Sequence, residues 1–191
     1  MLAEKKQFDD LVFIGRFQPF HIAHREVIDI ALSISQSVVL VLGSAQDERT
    51  IKNPFTVAER QRMILSGFSK QDAKRLKFVP IIDLYNDEKW VNAVTNGVNM
   101  VVAKTNKVGL IGHFKDDSSY YLKLFPQWPL VELPNLKNAL SATPLREKYY
   151  RGEIDQQKFT PEVQLFLQEF QHTQIYQQLR QHFQHQDESV I

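Results

Sequence analysis

The chain has 191 residues, 43% of them apolar, which suits one domain with a small appendage and excludes a disordered polymer. Its formal charge of +1 gives no general attraction for nucleic acid or a membrane surface, so any anion must be held by a local cluster. The lack of cysteine excludes a disulfide scaffold, a thiolate nucleophile and a cysteine-based zinc site.

The first six residues are too short and polar for a signal peptide, and no apolar run approaches membrane-spanning length, so a cytoplasmic protein is expected. Residues 11–14 read as a buried strand. After the run Gly15-Arg16-Phe17-Gln18-Pro19-Phe20-His21-Ile22-Ala23-His24 comes a helix with Val27, Ile30, Ala31 and Ile34 on one face. The unbroken apolar run 38–42 predicts a central strand buried on both faces. A helix over 58–68, a strand over 78–82, a helix over 90–102 and strands over 108–111 and 130–133 follow. In Ser141-Ala142-Thr143-Pro144-Leu145-Arg146, Thr143 reads as an N-cap and Pro144 as the first helical residue, with Arg146 in the first turn. From Pro161 the chain is Gln-rich, with Val163, Phe166, Leu167, Phe170, Tyr176, Leu179 and Phe183 near helical spacing, before a frayed end. Strands alternating with helices predict an α/β fold: a Rossmann-like, doubly wound parallel sheet over 1–160, with a helical extension over 161–191 packed on it.

Gly15-Arg16, Gly43-Ser44, Asp83 and Gly112-His113 each stand just after a strand, which gathers them on one edge of a parallel sheet, where such folds bind ligands. A Gly turn, an Arg and two histidines at a strand-to-helix junction point to phosphate, because free backbone N–H groups and the helix dipole converge there. His21 and His24 are also spaced as a metal pair, but no further zinc ligand pattern accompanies them. Arg146, at a second helix start on the same edge, adds a bidentate donor suited to a polyphosphate.

These runs also carry a resemblance. Gly15 to His24 resembles the signature of the nucleotidyltransferase superfamily with the His-x-Gly-His motif, and Ser141-x-Thr143-x-x-Arg146 resembles its second motif. Gly43-Ser44-Ala45-Gln46, Lys52-Asn53-Pro54-Phe55-Thr56 with Glu59-Arg60, Pro80-Ile81-x-Asp83, Trp90 and Gly112-His113-x-Lys115-Asp116 are similar to nicotinamide mononucleotide adenylyltransferases of the archaeal type, as found fused to a Nudix hydrolase in bacteria. The resemblance spans roughly residues 10 to 185. Ala23 departs from it, standing where the motif has Gly, and no Nudix box follows the helical tail.

The resemblance implies an enzyme that joins the AMP moiety of ATP to nicotinamide mononucleotide, giving NAD and pyrophosphate. Nicotinate mononucleotide or another nucleotide-like acceptor, and a non-catalytic nucleotide sensor, are the alternatives. It implies catalytic roles for His21, His24 and Arg146, and ATP binding by Gly15, Arg16, Phe17, Lys52, Gly112, His113, Asp116, Ser141 and Thr143. Asp83, Asp87 and Trp90 would form the nicotinamide pocket. Mg2+ would enter with ATP rather than on dedicated protein ligands, and a homo-oligomer is expected as a possible assembly.

Overall fold

The computed structural model describes residues 6–46, 48–114, 117–133, 136 and 140–188. Five strands, β1 (Phe8–Gly15), β2 (Ser35–Leu42), β3 (Leu76–Pro80), β4 (Val108–Gly112) and β5 (Leu130–Glu132), form one sheet in the order β3-β2-β1-β4-β5, with every neighbouring pair parallel. Among the described residues seven α-helices accompany them: α1 (Ile22–Ile34), α2 (Val57–Ser66), α3 (Lys70–Ala73), α4 (Asp87–Val101), α5 (Ala142–Tyr150), α6 (Pro161–Gln171) and α7 (Gln174–Glu188). The expected doubly wound α/β architecture is what the chain adopts.

The unbroken apolar strands are explained by what covers each face. Successive strand residues point to opposite sides. Leu11, Phe13, Val38, Leu40 and Leu42 therefore enter one core, while Val12, Ile14, Val39 and Val41 enter the other. The first core is closed by α1, α2, α5, α6 and α7, through residues such as Ile28, Met63, Tyr149, Val163 and Leu179. The second is closed by α4 (Val94, Val98) and by Leu122, Phe125 and Trp128. Tyr149 and Tyr176 enter the first core with their hydroxyls satisfied, Tyr149 donating to the Leu167 carbonyl at 2.8 Å and Tyr176 to the Tyr149 carbonyl at 2.6 Å. Among the described residues no helix is long and apolar enough to cross a membrane.

Several boundaries differ from the sequence reading, each for a local reason. β1 begins three residues early, at Phe8, because Asp10 is accommodated by Lys77 at 2.6 Å and Asn106 at 2.6 Å on neighbouring segments. β3 runs over Leu76–Pro80 instead of 78–82, and Ile82, beyond its end, is half exposed. α4 starts at Asp87, where the Asn86 side chain accepts from the Lys89 N–H at 2.9 Å. α5 starts at Ala142 with Ser141 as its N-cap, so Thr143 is not the cap and Pro144 is not the first helical residue. Pro144 is tolerated in third place because the N–H groups of a helix's first turn have no intrahelical partner to lose.

Sheet order places β4 beside β1, on the side away from β2 and β3. The chain reverses its direction of winding there, and the splayed connections leave a crevice at the carboxyl ends of β1 and β4.

Candidate active site

A cavity of about 560 Å³ opens at that carboxyl edge. One wall is built by the β1–α1 loop. Phe17 has φ +53°, and its ring turns inward against Phe13 (centroids 5.3 Å apart) and His24 (4.8 Å). A side chain at Gly15 would place its Cβ 3.0 Å from the Phe17 ring, so the glycine permits this fold-back. His21 is the N-cap of α1 and His24 lies one turn inside, their rings stacked with centroids 3.7 Å apart. The His21 backbone N–H donates to His24 Nδ1 at 3.4 Å. With Nδ1 as the acceptor, neutral His24 carries its proton on Nε2.

Arg146 reaches the same wall from α5. It is 6% exposed, donating from Nη1 to the Gln18 carbonyl at 2.8 Å and from Nη2 to Thr143 Oγ1 at 3.1 Å. Burial, and next the charge of Arg16, lower its pKa from the ordinary arginine value. Arg16 itself is exposed at the cavity and has no acidic partner among the described residues. Two guanidinium groups at one anion-sized opening repel each other, and a polyphosphate relieves that repulsion. Gln18 holds the loop from beneath: its Nε2 donates to the Phe55 carbonyl at 2.8 Å and its Oε1 accepts from the Phe55 N–H at 3.0 Å.

The opposite wall follows β2 and β3. Ser44, at φ +49°, donates from Oγ to Asp83 at 3.1 Å, and Gln46 Nε2 donates to the other carboxylate oxygen at 2.9 Å. Trp90, in the first turn of α4, is half-buried and packs edge-on against Tyr121 and Phe125. Asp87 accepts from the Tyr120 hydroxyl at 2.9 Å. Tyr85, at φ +50°, stands on the rim 94% exposed. At the end of β4, His113 Nδ1 meets the Leu133 carbonyl, so the proton sits on Nδ1 and Nε2 is left as an acceptor.

The residues expected to act together are largely gathered. His21, His24, Arg146, Gly15, Arg16 and Phe17 line the cavity, as do His113, Ser141 and Thr143 and, opposite them, Asp83, Asp87 and Trp90. Lys52 is not brought in; it is exposed and does not line the cavity. Gly112 does not line it either, and its missing side chain makes room for Leu122, which a Cβ would meet at 2.6 Å. Asp116 lies outside the described residues. Gln18 and the buried Arg60, both within the runs that carry the resemblance, turn out to be supports, a role the sequence reading did not assign them. Arg60 had a sequence signal: it shares a helical face with the core residues Met63 and Ile64. Among the described residues no group of three or more His, Asp or Glu could hold a metal ion.

The pattern of the cytidylyltransferase-like family matches residues 12–127. Over 185 residues the chain is 57% identical to the nicotinamide/nicotinic acid mononucleotide adenylyltransferase of Acinetobacter baylyi, covering 97% of this chain and 98% of that one. It is 31% identical over 147 residues to the nicotinamide-nucleotide adenylyltransferase of Pyrococcus furiosus, 74% of this chain and 73% of that one. Among solved structures it resembles a bifunctional NMN adenylyltransferase/ADP ribose pyrophosphatase from Francisella tularensis, complexed with AMP and a manganese ion. The TM-score is 0.81 at 35% identity over 91% of this chain, which spans 52% of that protein's length.

Proposed function

The chain belongs to the cytidylyltransferase-like family, and from that premise we propose that it is an adenylyltransferase joining the AMP moiety of ATP to nicotinamide mononucleotide. The observation that carries this reading is the division of one cavity. Imidazole and guanidinium donors (His21, His24, Arg16, Arg146) face an aromatic and carboxylate wall (Trp90, Asp83, Asp87) across it.

In this reaction a phosphate oxygen of the mononucleotide attacks the α-phosphorus of ATP. The bond from that phosphorus to the bridging oxygen breaks, and pyrophosphate leaves with the electron pair. The attacking phosphate is already anionic near neutral pH, so no general base is needed. Catalysis then rests on holding two anions in line and on donors placed where negative charge builds. The His24 Nε2–H, His21 and the two arginines supply those donors. Trp90 stacks on the pyridine ring, and Asp83 or Asp87 accepts from its amide. Gly15, Phe17, His113, Ser141 and Thr143 shape the ATP side.

A divalent ion, Mg2+ with ATP, completes the substrate and neutralises charge on the polyphosphate. The donors facing the phosphates are cations and N–H groups, so the ion is held by phosphate oxygens and water. Ala23 is buried at the second position of α1 and lines the cavity; it leaves both histidines in place, and activity is expected to survive it. We place the reaction in residues 1–160, with 161–191 as an extension packed on them, in a cytoplasmic protein. Nicotinate mononucleotide is a second acceptor reading, favoured by the A. baylyi relative, whose name includes both pyridine forms.

The test is pyrophosphate release with ATP, Mg2+ and a panel of acceptors that includes both pyridine mononucleotides. Product with nicotinamide mononucleotide supports the proposal, and product with neither pyridine nucleotide overturns it.

A further inference from the structure

The two walls of the cavity are joined underneath by one side chain. Arg60, on α2, is only 1% exposed. Its Nη1 donates to the carbonyls of Arg16 at 2.8 Å and Gly43 at 2.7 Å, its Nη2 to the carbonyl of Ser44 at 3.3 Å, and its Nε to the carbonyl of Thr56 at 3.4 Å. The first carbonyl belongs to the loop leaving β1 and the next two to the loop leaving β2.

Those carbonyls are not arbitrary acceptors. The Arg16 carbonyl lies in the peptide plane that precedes Phe17, and the Gly43 carbonyl in the plane that precedes Ser44. Phe17 and Ser44 have φ +53° and +49°, a left-handed conformation that costs a non-glycine residue on the order of 1 kcal/mol or more. By fixing these two planes, the guanidinium holds both residues where their own backbone preference would not. One of these turns aims Arg16 and seats the ring beneath His24. The other aims the Ser44 hydroxyl at Asp83. Burial lowers the Arg60 pKa to about 10, against the opposing pull of Asp83, so the group stays charged at neutral pH.

We propose that Arg60 is the positioning residue that sets the phosphate wall and the acceptor wall of the cavity in register. This rests on the proposed reaction, in which the two walls must deliver two anions in line. A lysine keeps the charge beside Asp83 but has no planar fork to span both loops.

The experiment therefore uses Arg60→Lys, with Arg60→Met as the variant that also removes the charge. The wild-type enzyme is first assayed with both substrates, and that assay alone tests the reaction. For Arg60→Lys, kcat is expected to fall by roughly 30-fold or more, toward the roughly 100-fold loss of a misplaced substrate, while KM for each substrate stays within about threefold. A purely structural role would lower the melting temperature and leave kcat of the folded enzyme unchanged, which would overturn the proposal. A substrate-free readout stands beside it. The Gly43 and Ala45 amides, bonded to Gly15 and Ile81 at 2.9 and 3.0 Å, should exchange at least about tenfold faster in the variant than in wild type, while the β1 and β2 interior is unchanged. Unchanged exchange at those two amides also overturns it, whatever the wild-type assay shows.

Discussion

The phosphate wall and the acceptor wall of the cavity are built to different standards. On the first, His21 is 3% and Arg146 6% exposed, although Arg16 stands exposed, and the Gln18 carbonyl and side chain tie the loop to Arg146 of α5 and to Phe55. On the second, Tyr85 is 94% and Tyr120 52% exposed, and among the described residues Asp87 accepts from a hydroxyl on the rim. Stabilising charge in a transition state requires donors that are already fixed, since donors that must reorganise lose much of their effect. Recognising a planar, weakly polar ring requires area and a few acceptors, which open side chains can supply as the ligand arrives. Under the proposed reaction, the closed half would serve the chemistry and the open half selection.

The sharpest way to break that comparison is on the closed side. His24→Ala should lower kcat roughly 100-fold or more with little loss of folding, as for removal of one transition-state donor, measured as steady-state turnover beside a melting curve. Near-normal turnover would show that the fixed wall is not where charge is stabilised. On the open side, Trp90→Ala should raise KM for the mononucleotide about tenfold while KM for ATP changes less than about twofold, since stacking on an aromatic ring is worth about 1–3 kcal/mol. Equal effects on both substrates would remove the distinction between the walls.

Two weaker effects mark the limits of the site. Lys52→Ala should leave kcat/KM for ATP within about twofold, because the side chain stands exposed away from the cavity. A larger loss would place that segment over the phosphates during turnover. Asp10→Asn, at the far end of the sheet, should leave kcat unchanged and alter only stability. Burial pushes the Asp10 carboxyl up, but hydrogen bonds from Lys77, Ser37 and Asn106 and the Lys77 charge outweigh it and hold it below the usual carboxylate range. A depressed folded pKa means that this stabilisation is present above about pH 4 and is lost as pH falls through the lower folded value. Urea unfolding should therefore show a deficit of about 2 kcal/mol in the variant at pH 7 that shrinks in acid.

The strands and the ligand edge were legible because both follow local rules. An apolar run of five, such as Val38 to Leu42, needs no knowledge of its partner to be read as buried, and polar residues just after such runs fall on one edge of a parallel sheet. The start of α5 was misread because Thr143-Pro144 has the chemistry of a helix start, whereas the Thr143 hydroxyl is used by Arg146. Gln18 and Arg60 fall within quoted motifs, but their supporting roles were not legible because burial of a polar side chain is decided by distant acceptors. Phe55 is 37 residues from Gln18, and the Arg16 carbonyl 44 residues from Arg60. Lys52 shows the converse: it matches a motif, yet its place in space depends on how the loop before α2 is folded.

In the proposed reaction His21 and His24 stabilise a direct transfer and form no bond to phosphorus. The stereochemical course at the α-phosphorus tests it most directly, using ATP bearing a sulfur of defined configuration there and reading the configuration of the dinucleotide product. A single in-line displacement predicts inversion. Retention would require two displacements through an adenylylated side chain and would contradict the account.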